Sequence, residues 1–424
     1  MLILLYNILQ SLAIIILWPL LLVVIFRKKK YGSRMLSRFG LGLPSLAPVN
    51  KAKVKTYWLH ALSVGEITSA APLLAALRQH WPECRIVVTV TTTSGEKLAR
   101  TLLVHSVDHI LPAPLDFRPT VYHYMKIIQP DMYIHVETDF WPNLLTMMRA
   151  KSIPTILVNG RISSQSLKSY NKYRFFFSPI FNSFDHLCMQ TEQDRTNMLA
   201  FGIARTKILT LGNLKFDTPA VKNQGNSEIQ SLLPKEKKIL TAGSTHPGEE
   251  KLIITVYSRL KHSHNDLFLV IVPRNPDRAA EIATLASDAG IKARFRSENT
   301  QDSISDLLIV DTIGELIDVY RASWAAFVGG SLVPTGGHNP IEPALFGIPV
   351  LFGPHMEDFS EIASALIKSG GGTSVHDIES LQSCIQKFLD EEPVRLQQGK
   401  SAREYVEKQQ GVIDKHLNLI RSLL

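Results

Sequence analysis

Three groups of residues have types and spacings suited to chemistry. The first lies in the stretch 327–353, FVGGSLVPTGGHNPIEPALFGIPVLFG, which reads as strand, glycine-rich turn, helix start and second strand. Asn339 is placed to cap that helix, and Pro340 to fill its first position, where a missing N–H costs nothing. A helix beginning there aims free amides at Gly336 and Gly337, and glycine lets a phosphate approach the backbone closely. Glu342, three residues past Asn339, adds a carboxylate able to accept from sugar hydroxyls. Phosphate on the amides and ribose on the carboxylate describe a nucleotide. A capping box and a plain turn account for the same residues, and on this stretch alone both readings stand.

The second group is a pair of carboxylates at strand ends. Glu66 closes HALSVGE after the apolar run VKTYWL, and Glu137 closes DMYIHVE. Open α/β sheets place their chemistry at the carboxyl ends of strands, so two such carboxylates point to an active cleft. Each also has a structural account: Ser63 and Glu66 have capping-box spacing, and Glu137 precedes a helix start. The third group gathers phosphate-friendly loops in the second half: Gly243-Ser244-Thr245-His246, Pro273-Arg274 and Ile313-Gly314-Glu315. The Arg274 guanidinium could clamp a phosphate bidentately or pair with a helix-start acid such as Asp277.

The elements that must position these groups alternate strand and helix along the chain, which implies βαβ units and parallel sheets. At 424 residues the chain exceeds one core, so two domains are expected. Apolar periodicity lapses near 214–234 and restarts at KKILTAGSTHPGEE, which sets a linker there, an N-terminal domain over 34–213 and a C-terminal one over 235–424. The last stretch, SAREYVEKQQGVIDKHLNLIRSLL, has the pattern of an amphipathic helix that packs back on the core. No fixed-period repeat is present. Cys84, Cys188 and Cys384 are isolated from one another, which argues against a disulfide framework or structural zinc site and fits a reducing compartment. No obvious cluster of metal-binding carboxylates stands out.

Residues 1–33 differ from the rest. Leu2 to Phe26 carries no charge, and Arg27 to Lys30 follows at once. That is long enough to cross a bilayer, with the remainder cytoplasmic by the positive-inside rule. The flanks do not match a cleaved signal peptide, so an uncleaved anchor is expected; Asn7, Gln10 and Pro19 leave open a tilted helix lying in one leaflet. The net charge of +8 is concentrated here, since residues 1–50 hold six basic residues and no acid while the remainder holds 40 basic and 38 acidic. That distribution favours a membrane surface over nucleic acid. Residues 159–175 mix Arg161, Lys168, Lys172 and Arg174 with aromatics, and suit either a solvated face or a surface meeting lipid phosphates.

Seven motifs in order, HALSVGE (60–66), ETDFWPNLL (137–145), GNLKFD (212–217), GSTHPGEE (243–250), VPRNPDR (272–278), DTIGEL (311–316) and GGHNPIEPA (336–344), resemble the Kdo transferase family. Its members transfer 3-deoxy-D-manno-octulosonic acid (Kdo) from CMP-Kdo to a lipid A precursor, lipid IVA. The resemblance implies a GT-B fold, two Rossmann-like domains facing a central cleft, and an inverting, metal-independent glycosyltransferase with no cofactor beyond its donor. It implies Glu66 as general base, with Glu137 and Lys215 stabilising the transition state. It also implies Pro273, Arg274, Ile313, Gly314, Glu315, Asn339, Pro340, Ile341 and Glu342 as the CMP site. Asp139 and Phe140 depart from the Glu and Leu expected in many members, leaving Glu137 intact. The expected location is the inner membrane of a Gram-negative bacterium, catalytic domains on the cytoplasmic face. Alternatives are another GT-B transferase with a different nucleotide sugar and lipid acceptor, and a non-catalytic lipid A or nucleotide binder.

Overall fold

The computed structural model describes residues 2–27, 29–47, 54–137, 141–217, 228–298 and 305–424, with backbone alone for 2, 18–27, 29–33 and 164. Asp139, Phe140, the side chains of Arg27 to Lys30 and residues 218–227 of the expected linker lie outside the described residues. The chain divides into two compact units, 1–218 with 411–424, and 219–410.

The first unit is built on a parallel sheet of β1 (Thr56–Ala61), β2 (Arg85–Val90), β3 (His109–Pro112), β4 (Met132–Val136), β5 (Thr155–Gly160), β6 (His186–Met189) and β7 (Ile208–Thr210), ordered β3-β2-β1-β4-β5-β6-β7. The central strands are buried along their whole length, as their unbroken apolar runs require of a parallel sheet covered on both faces. Alternate residues serve opposite cores: Trp58, Val87, Tyr133 and Leu157 on one side, Tyr57, Ile86, Ile134 and Ile156 on the other. The second unit repeats the plan with β8 (Lys238–Thr245), β9 (Leu267–Pro273), β10 (Ala293–Phe295), β11 (Leu307–Ile309), β12 (Ala325–Val328), β13 (Val350–Phe352) and β14 (Gly372–Ser374), ordered β10-β11-β9-β8-β12-β13-β14.

The C-terminal segment differs from the single helix expected. It forms two helices, Glu392–Gln409 and Val412–Leu423, broken at Gly411, whose φ of 83° takes the chain out of helical geometry. Asp217 fixes the break by accepting from the amides of Gly411 (2.8 Å) and Ile413 (2.6 Å). The second helix adds Val412, Leu417 and Ile420 to a core of the first unit, so residues 411–424 pack there rather than with the nucleotide half to which the sequence reading left them.

The N-terminal stretch is helical over Leu2–Arg27. Among the described residues no helix is long and apolar enough to cross a membrane. Its polar residues face the first unit: the Tyr6 hydroxyl donates to Asp116 (3.1 Å), and Asn143 donates to Asn7 (2.7 Å). Leu4, Leu5, Ile8, Leu9, Leu12 and Ile15 are exposed. Two of the six basic residues are committed to structure: Arg34 pairs with Glu96 (2.8 Å) and donates to the carbonyls of Val90 and Thr91, and Arg38 donates to that of Ala113.

Candidate active site

Both sheets start in the middle and grow outward in two directions, so each has one place where neighbouring strands send their chains to opposite sides. In the first unit that place lies between β1 and β4, in the second between β8 and β12. Ligands of open α/β sheets bind at such points, outside the carboxyl ends of the strands. Glu66 and Glu137 follow β1 and β4.

Glu66 lies in the first turn of the helix Val64–His80 and is 7% exposed. Ser63 caps the helix by accepting from the Glu66 amide (3.4 Å), while Glu66 Oε2 accepts from the amide of Leu62 (2.5 Å). The capping box is therefore half formed: the carboxylate reaches back one residue further than a box requires. Gly95 keeps the neighbouring loop close, since a Cβ there would stand 3.1 Å from the Ser63 carbonyl carbon.

Glu137 and Lys215 are brought together by Asn159, a buried residue at the end of β5. Its Nδ2 donates to Glu137 Oε1 (3.1 Å), and its Oδ1 accepts from the Leu214 amide (3.1 Å), which opens the short helical turn Leu214–Asp217 carrying Lys215. Burial pushes the Glu137 carboxyl up, against the pull of Lys215, Asn159 and Arg161. Glu137 (φ 61°) and Asn159 (φ 56°) both have left-handed backbone, a conformation that costs a residue with a Cβ about 1–2 kcal/mol and clusters at functional sites. Asn159 was not recognised in the sequence, where its role depends on three strands converging.

In the second unit, Pro273 ends β9, and the Arg274 amide donates to the Thr245 carbonyl (3.0 Å). The nearby acids go to another arginine: Arg278 takes Glu250 (2.5 Å) and Glu281 (3.0 Å). The Arg274 side chain is exposed and forms no ion pair among the described residues, so the structure favours an available cation over the helix-start salt bridge. Ile313 is 89% exposed beside Gly314, while Glu315 is held by Arg296 (2.9 Å) and Thr312.

The glycine-rich loop corrects one expectation. The amides expected to be free are those of the helix start; the amides ahead of the turn are also taken, because Glu249, fully buried, accepts from those of Gly330 (2.7 Å), Ser331 (3.0 Å) and Leu332 (2.9 Å), and from that of His246 (2.9 Å) after β8. The helix beyond is only Ile341–Ala344, with Pro340 at its cap position. Asn339 instead accepts from the Ile341 amide (3.1 Å) and donates to Glu342 Oε1 (3.2 Å). Burial raises the Glu342 carboxyl to about 7, against the Asn339 hydrogen bond and Arg274. His246 and His338 meet here through their Nε2 atoms at 2.9 Å, rings stacked with centroids 5.1 Å apart. Both lie within motifs the sequence offered, but nothing in their spacing of 92 residues links them.

Residues 33–218 match the family described as 3-deoxy-D-manno-octulosonic-acid transferase (kdotransferase). The chain is 30% identical over 415 residues to the 3-deoxy-D-manno-octulosonic acid transferase of Rickettsia bellii, covering 96% of each. It is 29% identical over 403 residues to the enzyme so described in Haemophilus influenzae, covering 94% of this chain and 93% of the other. Among solved structures, UDP-GlcNAc 2-epimerase from Neisseria meningitidis has a TM-score of 0.59 at 13% identity, over 87% of this chain and all of that one, a likeness of fold.

Two outcomes follow from this geometry. Glu137→Gly and Glu137→Ala both remove the carboxylate, but only glycine relieves the left-handed backbone; the glycine variant is expected to be about 1 kcal/mol the more stable in thermal unfolding, and equal stability would contradict strain at this position. Glu342 keeps its proton to higher pH in the folded chain than in the unfolded chain. Its ionisation therefore lowers stability progressively between about pH 4.5 and 7. Glu342→Gln should match wild type in melting temperature near pH 4.5 and exceed it at pH 8, whereas a constant gap would refute the raised carboxyl.

Proposed function

Because the chain belongs to the 3-deoxy-D-manno-octulosonic acid transferase family and is thus a GT-B-like glycosyltransferase of lipopolysaccharide core biosynthesis, we propose that it transfers Kdo from CMP-Kdo to lipid IVA, inverts the anomeric centre and releases CMP. The observation that carries the reading is the pairing of one carboxylate, Glu66, with a Glu137–Asn159–Lys215 network at the strand-order reversal of one sheet. An exposed, unpaired Arg274 lies at the corresponding edge of the other.

Glu66 takes the proton of the acceptor hydroxyl through Oε1, Oε2 being held by the Leu62 amide. The deprotonated oxygen attacks the anomeric carbon, and the bond to the CMP phosphate breaks with its electron pair on the phosphate oxygen. Lys215 offsets negative charge on the Kdo carboxylate or the departing phosphate, and Glu137, tied to the same Asn159, fixes where that lysine stands. Arg274 binds the phosphate; Ile313 with Gly314 offers apolar surface to the base, and Glu342, oriented by Asn339, accepts from ribose hydroxyls. Glu315, already held by Arg296 and Thr312, shapes the Ile313-Gly314 turn rather than offering an open carboxylate. Arginine and lysine supply the positive charge, so no metal is required.

The N-terminal helix attaches the enzyme to the inner membrane with both units on the cytoplasmic face. Support comes from its exposed leucines and isoleucines and from the basic run at 27–30. Docking of Tyr6 and Asn7 onto the first unit explains why an apolar helix carries polar residues.

The test is transfer from CMP-Kdo to lipid IVA, followed by CMP release and product mass. Wild type is expected to turn over in the presence of EDTA, and Glu66→Gln to lose about 10²–10⁴-fold in rate with CMP affinity unchanged. Product from another nucleotide sugar but none from CMP-Kdo would overturn the donor; full activity in Glu66→Gln would overturn the base.

A further inference from the structure

The stacked histidines of the second unit are not needed to account for fold or capping. His246 follows β8 and His338 lies in the loop after β12, so the pair straddles the reversal of strand order. A close approach makes room for it: a Cβ on Gly330 would fall 3.0 Å from His338 Cδ2. Each neutral imidazole carries one N–H. An Nε2–Nε2 separation of 2.9 Å is attractive only if one ring bears its proton on Nε2 and the other on Nδ1. The pair then presents one Nδ1–H and one Nδ1 lone pair, and no hydrogen bond among the described residues reaches either Nδ1. A proton added at the lone pair turns the internal bond into a charge-assisted one, stabilised by the second ring.

The surroundings decide when that proton is held. Burial, then Arg274, then His246 lower His338 to about 4. His338 is therefore neutral while the site has no anion. The nearby carboxylates do not counter this: Glu249 is filled by four amides, among them that of His246, Glu342 is tied to Asn339, and Asp358 stands at Gly336. What the pair lacks is an anion to offset Arg274, and the donor's phosphate is one.

We propose that the His246–His338 pair is a catalytic proton donor to the departing phosphate of the nucleotide-sugar donor. The proposal rests on the CMP-sugar reading above. Binding of the phosphate beside Arg274 offsets that arginine's charge and sets an anion against the rings, and the pair takes one proton from solvent. As the bond between the anomeric carbon and the phosphate oxygen breaks, the electron pair goes to that oxygen, which receives the proton from an imidazolium Nδ1. CMP leaves carrying this proton and the pair returns to neutral, while the acceptor's proton passes separately to Glu66. In this arrangement two histidines and an arginine neutralise the leaving group, a task a metal ion performs in other transferases.

The test compares wild type with His338→Gln and His246→Gln, which keep hydrogen bonding but cannot carry a proton. CMP is titrated at pH 8 by calorimetry in buffers of differing ionisation enthalpy, which counts protons exchanged. Wild type is expected to take up a proton more than either variant does; Glu342→Gln, run alongside, removes the contribution of that carboxylate. In turnover, each histidine variant should lose about 10²-fold in kcat with a donor KM within threefold of wild type, and should lose the alkaline limb of its pH profile while keeping the acidic limb set by Glu66. Equal proton uptake in wild type and variants, or a loss confined to KM with the pH profile unchanged, would overturn the proton donor. If wild type takes up the proton with CMP but transfers nothing from CMP-Kdo, the donor reading fails and the pair stands. If wild type transfers Kdo and the variants do so equally fast, the pair fails and the donor reading stands.

Discussion

Each sheet begins in its middle, and that constraint decides where chemistry can occur. Chains leaving neighbouring parallel strands toward opposite sides cannot fill the space above the strand ends, so a crevice opens where the order reverses. In the first unit β1 and β4 deliver Glu66 and Glu137 to that edge; in the second, β8 and β12 deliver His246 and the loop bearing His338. Helix packing behind the sheets is dense and apolar on both faces, which leaves the edges as the place where polar side chains can gather without a buried cost.

Crevices alone do not fix side chains to the tolerance that catalysis needs. Two buried polar residues do that. Asn159 ties the end of β4 to the turn after β7, so one side-chain amide sets both Glu137 and the backbone of Leu214, the residue before Lys215. Glu249 gathers four amides from two loops, and a buried carboxylate with both oxygens hydrogen-bonded in this way holds those loops in place. Its consequence reaches the candidate ligand site, because the backbone amides of 330–332 are spent on structure. In the proposed site, anion recognition then draws on side chains, Arg274 and the two histidines.

The sequence revealed the sheets well because parallel strands buried on both faces write themselves as unbroken apolar runs, as in RIVVTV and LFLVIVP. It also showed which residues follow strand ends, and Glu66, Glu137 and Arg274 all do, while Glu342 is expected at a helix start and lies in one. It could not distinguish amides that are free from amides already occupied, since the occupant, Glu249, sits some eighty residues away in sequence. The same limit hid Asn159 and the histidine pair, whose partners come from separate strands. Gly411 inside an amphipathic pattern was legible as a break in principle, but the acceptor that fixes it, Asp217, lies 194 residues earlier in the chain.

Distribution of cations in the second unit follows from which acids are available to them. Arg278 and Arg296 are each neutralised by two glutamates, and such arginines serve the fold. Arg274 lies four residues from Arg278 in the same loop region and forms no ion pair among the described residues; its charge falls on His338 and Glu342 instead. A guanidinium with no ion pair among the described residues, beside a neutral His338, is electrostatically matched to a bound anion. In the proposed transfer the departing phosphate gains negative charge as its bond breaks, and a site of this kind would stabilise that change more than the ground state.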